Sequence, residues 1–143
     1  MIVKQVCAFI ENKTGRLSEL ADVLSTNGID ISALSLADSS DYGILRMLVN
    51  DPEKAVQIMK NAGVIAKITD AVAVAINDAP GGFAEVVHLL SKKNFEVKYM
   101  YASVGNLHGK ALMILGLDNP TEAEALIAQT DAGKIDPAEV YRI

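Results

Sequence analysis

The strongest constraint on this chain is that it contains the same unit twice. Residues 12–17 read Asn-Lys-Thr-Gly-Arg-Leu and residues 78–83 read Asp-Ala-Pro-Gly-Gly-Phe. A shift of 66 pairs Gly15 with Gly81, Leu17 with Phe83, Leu20 with Val86 and Leu24 with Leu90. The same shift pairs Ile29 with Phe95, Asp30 with Glu96, Ile31 with Val97 and Gly43 with Gly109. Further on the shift becomes 68, where Asn50-Asp51-Pro52 matches Asp118-Asn119-Pro120. A repeat of this length is one supersecondary unit used twice. The copies divide near Asp70, at residues 1–70 and 71–143, with no Gly/Ser/Pro-rich tether between them.

Each copy reads strand–helix–strand–strand–helix–strand. Residues 3–10 are apolar and rich in strand formers. Leu17, Leu20, Ala21 and Leu24 follow at helical spacing, and Asn27-Gly28 ends that helix. Residues 31–37 and 44–49 flank the turn Asp38-Ser39-Ser40-Asp41. Asp51-Pro52 opens a second helix, with Ala55, Ile58, Met59 and Ala62 facing inward, and a strand at 65–69 closes the copy. The second copy is expected to place strands at 71–76, 96–104, 109–117 and 140–143, and helices at 82–93 and 121–130. The expected fold is α+β: two ferredoxin-like βαββαβ repeats whose antiparallel sheets pair edge to edge, with helices on one face. Segments 71–76 and 111–117 are apolar on both faces, which predicts an open apolar face covered by a homodimer partner.

Composition narrows the function. With 13 basic and 18 acidic side chains the net charge is −5, unsuited to a nucleic-acid partner. The strands that would carry the aromatics of an RNA-recognition sheet, 44–49 and 111–117, contain none. No apolar run reaches the length of a membrane span. A single cysteine, Cys7, fits a reducing cytoplasm and reads as a buried, inert thiol. One cysteine and two histidines offer little for a metal, and no cofactor motif is present. His88 and His108 read as surface residues, Lys92-Lys93 as a helix-end charge pair, and Tyr99 and Tyr101 as packing residues. No nucleophile–base pattern marks an enzyme.

The loops before the first helix of each copy are the candidate sites. A helix start offers unpaired N–H groups and partial positive charge to a carboxylate, and glycine lets a ligand approach the backbone. Asn12 can donate and accept hydrogen bonds, and Asp30, after the helix, can accept an ammonium group. An amino-acid zwitterion needs both, so this reading requires Gly15 and Asp30 to share a groove.

The run Asn12-Lys13-Thr14-Gly15-Arg16-Leu17, followed by Asn27-Gly28-Ile29-Asp30-Ile31, resembles the signature of ACT domains. There an Asn-x-Pro-Gly-x-Leu loop opens a helix that ends in Gly-[Ile/Val]-[Asn/Asp]-Ile. Asp78-Ala79-Pro80-Gly81-Gly82-Phe83 and Asn94-Phe95-Glu96-Val97 match more loosely. The resemblance spans the chain as two tandem ACT domains. It implies binding of a free amino acid where two ACT units meet, by Asn12, Lys13, Thr14, Gly15, Arg16, Leu17, Asp30 and Ile31 in the first copy. In the second it implies Asp78, Pro80, Gly81, Gly82, Phe83 and Glu96. Thr14 stands where the family has proline, and Ile10 where serine-sensing members have histidine. The resulting expectation is a non-catalytic regulatory protein, homodimeric, acting on a partner in amino-acid metabolism or transport. The alternative is a ligand-independent regulatory subunit of a biosynthetic enzyme, like that of acetolactate synthase.

Overall fold

In the computed structural model, residues 1–39, 41–104 and 108–141 are described. The elements run β1 (Ile2–Glu11), α1 (Arg16–Thr26), β2 (Ile31–Asp38), β3 (Tyr42–Val49), α2 (Pro52–Asn61) and β4 (Ile65–Asn77). They continue with α3 (Gly82–Lys92), β5 (Val97–Ala102), β6 (Lys110–Leu117), α4 (Pro120–Ile127), a 3-10 turn (Asp131–Gly133) and α5 (Pro137–Tyr141). The six strands form an antiparallel sheet in the order β2-β3-β1-β4-β6-β5. This is the α+β, ferredoxin-like architecture that the repeat predicts. The chain divides into two compact units, one of Lys4–Thr69 with Tyr141, the other of Met1–Val3 with Asp70–Val140.

In the first unit the register pairs Val6 with Met47 and Ala8 with Leu45 across β1 and β3. Period-two alternation puts these four on one face, where Leu20 and Leu24 of α1 and Ala55 and Met59 of α2 cover them. All are essentially removed from water. Each large side chain so buried contributes about 1.5–3 kcal/mol. Asp51 caps α2 by accepting from the Lys54 amide at 3.0 Å, with Pro52 in the first turn.

The second unit repeats this with Val72 opposite Leu115 and Val74 opposite Met113 on β4 and β6. Val86, Leu90, Ala123 and Ile127 pack on that face. Its second helix is shorter than expected, ending at Ile127. Asn119 makes no side-chain cap, and residues 131–133 turn as a 3-10 helix instead.

Three expectations are corrected. The strands at 65–69 and 71–76 are one continuous β4 of 13 residues. The strand expected at 140–143 is instead the helix α5 as far as Tyr141, and residues 142 and 143 lie outside the described ones. An aspartate–proline helix start explains this, since Asp136 Oδ1 accepts from the Ala138 amide at 2.9 Å beside Pro137. The place beside β4 in this unit is taken by the start of β1, where Ala73 and Met1 exchange backbone hydrogen bonds of 2.9 and 3.2 Å. Third, the apolar face expected to lie open is closed within the chain: Ala71, Ala73, Ala75, Leu112 and Ile114 are all buried. That removes the reason for a covering homodimer partner. The hairpin turn holding Ser40 lies partly outside the described residues. No described helix is long and apolar enough to cross a membrane.

Because Val3 is fully buried in this borrowed strand, Val3→Ala is expected to lower stability by about 2 kcal/mol in denaturant unfolding. Hydrogen exchange at the Ala73 amide should accelerate with it; unchanged protection there would contradict the borrowed-strand role.

Candidate functional site

The loop after β1 is built by three constraints. Asn12 leaves the strand with its amide donating to Asp41 O at 3.0 Å. Its side-chain Nδ2 donates to Asp38 Oδ1 at 2.7 Å and to Ser39 O at 2.9 Å, tying the loop to the β2–β3 hairpin. The Arg16 amide then donates to Lys13 O at 3.2 Å, closing a tight turn over Thr14 and Gly15. Gly15 sits at φ 92° and ψ −19°, the left-handed region, and the Glu19 amide donates back to its carbonyl at 2.9 Å. A Cβ at Gly15 would meet nothing within 4 Å, so the glycine answers the backbone angle and not crowding.

No side chain caps α1. With the Arg16 amide already given to Lys13 O, the amides of Leu17 and Ser18 and the positive end of the helix dipole remain as the usual setting for a carboxylate. The adjoining groove has a volume of about 280 Å³ and is lined by Ile10, Glu11, Asn12, Lys13, Thr14, Leu17 and Leu36. Leu17 and Leu36 are apolar yet 44 % and 49 % exposed, so apolar surface lies uncovered beside the polar Asn12, Lys13 and Thr14. Lys13 is paired with Glu11 at 3.1 Å and Arg16 with Glu19 at 3.1 Å. The Lys13 hydrogen bond, reinforced by its charge, holds the Glu11 carboxyl below its ordinary range.

The second repeat reproduces the turn. Gly81 sits at φ 94° and ψ −19°, and α3 again starts without a side-chain cap. Here the tie to the hairpin is made by backbone, with the Asp78 amide donating to Gly109 O at 3.2 Å. Asp78, Pro80 and Phe83 are exposed, Phe83 at 46 %, close to its counterpart Leu17. Gly82 is buried, and the Asn77 carbonyl stands where a Cβ would sit.

Asp30 is elsewhere. Its amide donates to Asn50 Oδ1 at 3.0 Å and its carbonyl accepts from the Asn50 amide at 3.1 Å. Gly15 precedes the 11-residue α1 and Asp30 follows it, so they lie about 16 Å or more apart along the helix. Ile31, the first residue of β2, lies at that same far end. Glu96 is likewise exposed at the far end of α3 from Gly81. The expectation that one copy's loop and helix-end acid share a groove is therefore overturned: a helix that separates two loops cannot also bring them together. Asn12, Lys13, Thr14, Gly15, Arg16 and Leu17 do cluster.

Against this geometry, the family model describing an ACT domain pair matches residues 1–142. The chain belongs to the ACT domain pair family. A Bacteroides thetaiotaomicron protein of known structure superposes on this ACT pair with a TM-score of 0.83 at 32 % identity, covering 94 % of this chain and 98 % of that one. The regulatory subunit of aspartate kinase from Thermus thermophilus, in a ligand-free form, is similar in fold, with a TM-score of 0.63 at 12 % identity. The alignment covers 90 % of this chain and 94 % of the subunit. The corresponding Thermus flavus subunit gives 0.60 at 11 % identity over 90 % and 94 %. No curated protein sequence matches the ACT pair.

The remaining sequence features fall into structural places. Cys7 is buried, with its Sγ 3.3 Å from Thr69 Oγ1. Tyr101 is buried and the Tyr99 ring lies against the Cα of Gly116, as packing residues do. His88 and His108 are exposed, and His108 Nε2 lies 3.5 Å from Glu139. Among the described residues no group of His, Cys, Asp and Glu could hold a metal.

The left-handed turn predicts that Gly15→Ala and Gly81→Ala each cost about 1–2 kcal/mol, read as a fall in denaturation midpoint. Gly15→Asn should cost less, because asparagine tolerates this region. Equal losses for alanine and asparagine would contradict the backbone assignment.

Proposed function

We propose that this ACT pair is a non-catalytic regulatory protein that binds a free amino acid and passes its occupancy to a partner in amino-acid metabolism or transport. The observation that carries this is the duplicated, uncapped helix start. In both repeats a left-handed glycine turns first-turn amides outward beside an exposed apolar residue, Leu17 or Phe83. Amides and dipole hold the ligand carboxylate, and the apolar rim of Leu17 and Leu36 receives an aliphatic side chain. Asp30 and Glu96 lie at the far helix ends, so within one unit neither reaches the ammonium group of a ligand held at the loop. Binding couples to a partner through the ligand's different affinity for the partner-bound and free states. Lys13 and Arg16 hold Glu11 and Glu19 away from the carboxylate. Asn12 positions the loop through the hairpin. In the second repeat Asp78 flanks the loop with negative charge, which makes that site the weaker one.

A second reading, a ligand-independent interaction subunit, rests on the exposed Leu34 and Leu36 along β2. It predicts that Asn12→Ala leaves partner capture unchanged, whereas the ligand reading predicts that it weakens it.

Titration calorimetry and thermal shift across the twenty amino acids test the proposal. At least one should give saturable heat and a raised melting temperature. Leu17→Glu, at an exposed position, should keep the fold and weaken that binding at least about tenfold by placing a carboxylate at the helix mouth. Absence of heat and shift for all twenty overturns the ligand reading.

A further inference from the structure

Asn27 is the asparagine of this chain that glycine follows, and the fold sets Asn27-Gly28 at the end of α1. That dipeptide carries its own reactivity. The backbone nitrogen after an asparagine can attack the side-chain amide carbon, and a side chain on the following residue hinders the approach. Glycine presents no such side chain. The surroundings add no hindrance, since a Cβ at Gly28 would meet nothing within 4 Å; the glycine answers a φ of +73°. Both residues are exposed, so water and hydroxide reach them.

The helix end holds the dipeptide in an unreactive state. The attacking nitrogen, the Gly28 amide, donates to Ser25 O at 3.0 Å, and Asn27 Nδ2 donates to Val23 O at 2.8 Å. Ring closure requires both of these bonds to break. Lys54 of α2 resists that opening, because its Nζ donates to Asn27 O at 2.7 Å. That carbonyl belongs to the same peptide unit as the Gly28 nitrogen, so fixing one restrains the other. The last turn of α1 has no basic residue of its own, and Lys54 supplies a cation at the negative end of its dipole.

We propose that Asn27 is a site of spontaneous covalent modification, closing to a succinimide and reopening as aspartate or isoaspartate, at a rate set by opening of the last turn of α1. Hydroxide takes the Gly28 amide proton, and the nitrogen bonds to Asn27 Cγ. The Cγ–Nδ2 bond breaks, and ammonia leaves after taking a proton from water. Water then adds to one of the two ring carbonyls. Cleavage of the bond from nitrogen to the side-chain carbonyl gives aspartate, and cleavage at the main-chain carbonyl gives isoaspartate. Either product removes the Nδ2 donor from Val23 O and places a carboxylate at the unfavourable end of the helix dipole. Isoaspartate also adds a methylene to the main chain where the Ile29 amide returns to Leu24 O at 3.0 Å. The modified turn is therefore looser than the native one. This site is at the opposite end of α1 from Gly15, so it does not depend on the loop reading.

Full-length protein incubated at neutral and at mildly alkaline pH tests this by peptide mass mapping, with isoaspartate counted by enzymatic carboxyl methylation. Residue 27 should convert ahead of every other asparagine, and faster at the higher pH. Lys54→Ala, at an exposed position, should speed conversion about three- to tenfold, the range of one lost hydrogen bond, with the melting curve showing the fold retained. In full denaturant the variant and the wild type should convert at the same rate. In the wild type, urea below the unfolding midpoint should raise conversion and hydrogen exchange at the Gly28 amide in parallel. Conversion at Asn27 no faster than elsewhere overturns the proposal. So does a folded Lys54→Ala rate equal to wild type, an acceleration that persists in denaturant, or conversion that stays flat as the Gly28 amide opens.

Discussion

The turn from first strand to first helix exists in each repeat because one glycine accepts a φ near +90°. An L side chain resists that angle, so the loop's course is fixed by backbone chemistry. From it follow the uncapped helix start, the outward amides and the exposed apolar residue two positions on. The fold supplies the rest of the frame, with a sheet face covered by two helices in each unit and hairpin contacts that hold the loop from the side. Asn12 makes those contacts in one copy, and the Asp78 amide in the other. Different groups doing the same job indicate that the loop position, more than any one side chain, is what the repeats share.

The copies diverge where the packing allows it. Arg16 and Gly82 occupy matching positions, yet the second loop runs so close to the Asn77 carbonyl that only glycine fits. The ion pair that Arg16 makes with Glu19 in the first copy therefore has no counterpart at Gly82 and Glu85 in the second. Two units of one fold thus present different chemistry at equivalent places.

Much of this was legible in the sequence. The repeat at shifts of 66 and 68 located the helix starts and paired Gly15 with Gly81, whose left-handed angles the structure adds. The Asp51-Pro52 signal placed α2 correctly, and the same logic at Asp136-Pro137 marks α5, where analogy with the first copy argues for a strand. That analogy fails because the slot beside β4 is filled by Met1–Val3, a pairing across more than sixty residues that no local pattern encodes. The apolar alternation of β4 and β6 revealed burial on both faces but not what provides it. Gly15 and Asp30 are close in sequence, yet an intervening helix separates them, so spacing alone suggested a shared groove that the helix forbids.

The central claim is that helix-start amides receive the ligand carboxylate. Amide chemical-shift mapping of isotope-labelled protein with its tightest-binding amino acid tests it most directly. The account predicts that the largest perturbations fall on residues 13–18, with smaller ones at 79–84. Perturbations confined to the far ends of α1 and α3, or to the opposite face of the sheet, would contradict it.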